Sequence, residues 1–180
     1  MTQGTHTEQQ ISRLVDAVRR ACRAIELVDL YNTRPLTSAL IDLLQQADSL
    51  ANTKIEVGDE DLVLTKALPT AVKKIPDDVL FYVVFDPLDP GSVCSMTLKD
   101  ALGDIYEPLA SGLELLDDRP EKKYDVAWEW RNGYAFHWGR HLLDVIRALT
   151  LSGDIMAAKA TTDAKGRRSP PSAADHEPVS

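Results

Sequence analysis

Leu98-Lys99-Asp100-Ala101-Leu102-Gly103-Asp104-Ile105-Tyr106-Glu107-Pro108-Leu109-Ala110-Ser111-Gly112-Leu113-Glu114-Leu115-Leu116 is the stretch on which the fold turns. Leu98, Leu102, Ile105, Leu109, Leu113 and Leu116 recur at three- and four-residue steps, which line one face of an α-helix. Thr97 before it and Asp100 within it make a capping-box-like start, with Asp where Glu is usual. The pattern predicts a helix over 98–116. Pro108 lies inside and lacks an N–H, at a cost of about 3 kcal/mol where nothing relieves it, so a kink is expected.

Outward from this stretch, further segments read as helices. Tyr124, Trp128, Ala135, Trp138, Leu142, Val145 and Leu149 define a stripe that predicts one last helix over 122–151, antiparallel to the first. Phe136 and Leu143 fall on its far side and Trp130 on a flank, so this helix is expected to be central or covered on two sides. Gly139 in its middle implies close approach of a neighbouring helix. Upstream, Ile11, Leu14, Val15, Val18, Cys22, Ile25 and Val28 predict a helix from about 9 to 30. Leu36, Leu40, Ile41, Leu43, Leu44 and Ala47 predict another, entered at Pro35 and ending near Leu50. Residues 52–74 have no clear period. Pro76-Asp77-Asp78 is a good helix entrance, so 79–85 reads as helix, although its β-branched and aromatic content also fits a buried strand. Asp86 to Gly91 reads as a loop. The expected architecture is all-α, a single-domain bundle of about five helices. Its helical domain spans 9–153, between a disordered N-terminus over 1–8 and a disordered C-terminal tail over 154–180.

Of 180 residues, 44% are hydrophobic, enough to bury a core. With 28 acidic and 20 basic residues the net charge is −8, which argues against nucleic acid and against an anionic membrane surface as partners. No run of apolar residues is long enough to span a membrane. Cys22 and Cys94, with no apolar leader ahead of them, point to reduced thiols in the cytoplasm. Cys22 lies on an apolar stripe and Cys94 in a loop.

Chemistry-bearing residues gather on the last two helices. His137 and His141, at i and i+4, stack on one helical face and have the spacing of paired metal ligands. Asp144 adds a carboxylate at i+7, and Asp100, Asp104 and Glu107 repeat the spacing on the preceding helix. A bundle metal site draws His and carboxylates from facing helices, so a divalent metal is the cofactor this set would take. The angles favour a plainer alternative: at about 100° per residue the three acids fall roughly 130–170° from their helix's apolar centre, His141 roughly 80° and His137 roughly 120°. That arrangement is a solvated acidic face beside boundary histidines bonded to backbone or carboxylates. Arg131, Arg140 and Arg147 lie among Trp128, Trp130, Tyr134, Phe136 and Trp138, a mixture that serves structural cation–π and ion pairs, protein interfaces or an anionic ligand. No nucleophile elbow, Walker loop, dinucleotide fingerprint or CxxC pair is present, so the question of enzymatic activity stays open. The expected function is a non-enzymatic cytosolic helical module that binds another protein or itself in an interaction or regulatory role. The alternative is a metal-binding helical protein, or metal-dependent enzyme, built on His137 and His141.

Phe85-Asp86-Pro87, Leu98 to Tyr106, Trp128-Glu129-Trp130-Arg131, His137-Trp138-Gly139-Arg140-His141 and Arg147-Ala148-Leu149 together resemble a bacterial family catalogued as domain of unknown function 5063. The H-W-G-x-H segment is the most distinctive. The resemblance covers roughly 13–150 and departs at Thr150, where His is expected, and at Pro108. It implies a bacterial cytosolic helical protein and no particular activity.

Overall fold

Ile11, Leu14, Val18, Cys22 and Ile25 are all buried along one face of α1 (Gln3–Glu26), as their spacing requires. The computed structural model of the chain describes residues 3–51, 53, 55, 62, 66–84 and 91–151. Helix α1 begins at Gln3, so the expected disorder over 1–8 gives way to helix over 3–8. Glu8 is held there by Lys123 Nζ and Tyr124 Oη, each 2.5 Å from one carboxylate oxygen. These partners lie more than a hundred residues away, where no local pattern points to them. The tail expected over 154–180 lies outside the described residues, as does most of 52–65.

Helix α2 (Arg34–Ala51) lies antiparallel to α1, with Arg20 bonded to Asp42 near one end and Gln10 to Ser49 near the other. A single turn, α3 (Thr70–Lys73), follows Pro69 and seats Val72 in the core. Helix α4 (Leu98–Asp118) is capped by Thr97, whose hydroxyl accepts from the Asp100 N–H at 2.9 Å. It runs antiparallel to α1, with Tyr106 bonded to Glu26 and Arg19 to Asp117. Its buried set includes Ala101, Tyr106, Ala110 and Gly112 besides Leu98, Leu102, Ile105, Leu109 and Leu116 of the predicted stripe, a wider arc than one stripe, while Leu113 is half-buried. The helix is central, covered by α1 on one side and by α5 on another.

Residues 79–84 correct the helical reading of 79–85, whose last residue lies outside the described residues. Leu80–Val84 form strand β1, paired antiparallel with β2 (Val93–Thr97) in the register Leu80↔Thr97 to Val84↔Val93. Asp77 and Asp78 form a turn instead of a first helical turn. Val79 accepts the Leu98 N–H at 2.9 Å, closing the hairpin onto the start of α4. The β-branched and aromatic run found a partner in 93–97, and pairing outweighed the entrance signal. Cys94 is thus an exposed strand residue, not a loop residue.

The predicted last helix also divides. A 3₁₀ turn at Pro120–Lys122 leads into α5 (Lys123–Phe136), and α6 follows over 138–151. His137 separates them with φ −140° and ψ −89°, far from helical values. Gly139 makes the break feasible, since a Cβ there would stand 2.1 Å from the Tyr134 carbonyl oxygen. The close approach expected at Gly139 is therefore to the preceding turn of its own chain. Along α4 and α5, Trp130 Nε1 donates to the Pro108 carbonyl at 3.1 Å, and its ring fills the space that the missing side chain of Gly112 leaves. Burying an aromatic of this size contributes about 4–6 kcal/mol.

Candidate metal centre

Asp104, His137 and His141 each offer one ligand atom, and these atoms all lie within 4.8 Å of one another. Three elements contribute: α4 supplies Asp104, the break supplies His137 and the first turn of α6 supplies His141. The His141 Nε2 stands 3.3 Å from Asp104 Oδ2. The two imidazole rings meet edge to face with centroids 5.4 Å apart. Two ligand atoms each about 2.0–2.2 Å from a tetrahedral metal stand about 3.3–3.6 Å apart, so the Asp104–His141 pair already has that separation. His137 is exposed, and its ligand atom lies within 4.8 Å of the other two.

The surroundings are asymmetric. His141 is 3% exposed, deeper than its predicted boundary position, with Nε2 turned to Asp104 on α4. Burial holds the His141 imidazole below its ordinary pKa, and the Asp104 charge opposes that shift. A neutral imidazole facing a carboxylate carries its proton on Nε2 and leaves Nδ1 bare. Nδ1 is one of two buried side-chain nitrogens among the described residues with no hydrogen-bond partner; Trp138 Nε1 is the other. Asp144, half-buried on α6, has its carboxyl pushed up by burial, with His141, Arg140 and Arg147 pulling it down.

Of the five polar residues read as a candidate site, three converge. Asp100 is exposed one turn before Asp104, and Asp144 lies outside the group of three. The expectation that Asp104 faces water is corrected in part: its side chain is 42% exposed but its carboxylate meets His141. The aromatic–Arg cluster does not form one surface. Trp130 and Trp138 are 1% exposed inside the core, with Trp138 tilted against Tyr134 at 5.3 Å. Trp128, Arg131 and Tyr134 are half-buried, and Arg131 donates to the Thr53 carbonyl. Phe136, Arg140 and Arg147 are exposed. A groove between α1 and α2 escaped the sequence reading. Ala24, Leu27, Val28, Pro35, Leu36 and Ala39 line its apolar part, and Arg19, Arg20 and Arg23 form its rim. Those three guanidiniums are already paired with Asp117, Asp42 and Glu26.

No described helix is long and apolar enough to cross a membrane. No curated protein and no solved structure matches the chain. A family model does match, over residues 5–152, and with it the resemblance carried by the H-W-G-x-H and D-I-Y segments becomes membership: the chain belongs to the family described as domain of unknown function (DUF5063).

Proposed function

We propose that this protein binds a divalent transition metal through Asp104, His137 and His141. The convergence of two imidazoles and one carboxylate from three elements carries this reading. Nitrogen and carboxylate ligands of this kind suit Zn²⁺, Ni²⁺ or Fe²⁺ better than the hard all-oxygen cations. Three protein ligands leave at least one coordination position for water or a substrate oxygen. A metal there polarises a carbonyl or lowers the pKa of its water. The two unpaired cysteines support a reducing, cytosolic setting for such a site. The test is thermal unfolding of the metal-free protein with and without Zn²⁺, Ni²⁺, Mn²⁺ and Fe²⁺, beside a His137→Ala/His141→Ala variant. A metal at 100 times its Kd adds about 2.7 kcal/mol, a shift of several degrees. That shift is expected in the parent and absent in the variant; no shift with any metal overturns the reading.

A second reading, a protein-interaction module, draws support from Phe136, which is 84% exposed at the end of α5 beside exposed His137. Burial of Trp130 and Trp138 takes two aromatics of the cluster out of any such surface. On this reading the molecular mass of the parent rises with concentration in sedimentation, and Phe136→Ser abolishes the rise. A monomer at all concentrations counts against self-association.

A further inference from the structure

The two ring nitrogens of His141 have different tasks once a metal sits at the site. Nε2 faces Asp104 across 3.3 Å and is the nitrogen placed to bind the ion. Metal binding takes the Nε2 lone pair, so the ring proton must move to Nδ1. There it becomes a buried donor, and Nδ1 has no hydrogen-bond partner among the described residues. Leaving a buried donor unsatisfied is unfavourable, and metal-bound imidazoles almost always donate their second N–H to a carboxylate or carbonyl.

The charged groups that act on His141 are Asp104, Arg140, His137 and Asp144. Asp104 and His137 are occupied as ligands on this reading, and a guanidinium has no acceptor. Asp144 remains. It follows His141 by three residues on α6, so the two side chains are neighbours on one helical face. It is half-buried, so it is partly shielded from bulk water.

We propose that Asp144 is a positioning residue, which accepts the Nδ1–H of His141 when a metal binds Nε2 and so fixes the tautomer and orientation of the ring. This rests on the metal reading. Asp144 itself touches no metal: the proton moves from the Nε2 side to Nδ1 through exchange with solvent, and the carboxylate stays ionised while it accepts.

The test uses the full chain and Zn²⁺ alone. Zn²⁺ affinity is measured by competition with a chromophoric chelator for the parent, Asp144→Ala and Asp144→Asn, and the His141 tautomer is read from its ring ¹⁵N shifts. The parent is expected to show metal on Nε2 and a proton on Nδ1. Asp144→Ala weakens binding by about 10–100-fold. Asp144→Asn keeps an acceptor oxygen in nearly the same volume and recovers most of the loss. Asp144→Ala binding as tightly as the parent overturns the proposal. So does Asp144→Asn binding as weakly as Asp144→Ala, which reduces the effect to net charge. So does metal found on Nδ1 in the parent. A parent that takes up no Zn²⁺ overturns the metal reading itself, and that outcome is distinct from the other three.

Discussion

Gly112 and Trp130 depend on each other. A Cβ on Gly112 would stand 2.5 Å from the indole Nε1 and 2.7 Å from two further ring atoms, well inside van der Waals contact. Gly112→Ala must therefore push the ring aside, strain its bond to the Pro108 carbonyl and disturb the α4–α5 contact. The expected cost is about 1–3 kcal/mol, read from urea unfolding. A variant as stable as the parent would show that the ring has room to move. This pairing also shows where sequence reading stopped. Helical spacing alone puts Trp130 on a flank of its helix. Its burial comes from α4, where Gly112 leaves room for the ring and the Pro108 carbonyl accepts its N–H.

Between elements, the same limit applies with different causes. Helices α1, α2 and α4 follow from periodic apolar residues, and their predicted ends differ from the observed ones by a few residues, most at the ends of α1. The hairpin was misread because a strand is specified by its partner as much as by its own residues, and that partner looked like loop. The break at His137 was misread because i, i+4 spacing continues smoothly through it. Glu8 and Ser12 tie α1 to α5, and the Glu8 carboxyl is held below its usual value by hydrogen bonds from Lys123 and Tyr124. The unfolded chain then takes up that proton at a higher pH than the folded one. The bond contributes fully above the unfolded value and fades as pH falls through the folded one. Glu8 is partly exposed, so the effect stays under about 1 kcal/mol. Glu8→Gln is expected to lower stability at pH 7 and to lose less than the parent on acidification, in urea titrations at several pH values. Parallel curves for the two proteins would show that the bond does not form in solution.

Over the whole molecule, one core runs from Ile11 on α1 through α2 and α4 to Leu149 on α6, with the hairpin laid against the start of α4. Local sequence determined the helical class, because apolar period and caps act within a few turns. It also determined which residue types lie close enough along one helix to share chemistry, as His137 and His141 do. Only the tertiary structure decided that Asp104 joins them and that Asp100 does not. A carboxylate on one helix meets an imidazole on another only after crossing angle, rotation and the break at His137 are set. Those depend on packing between segments some thirty residues apart. The same packing buries His141 and strips Nδ1 of partners, a property of the folded interior that helical spacing alone does not encode.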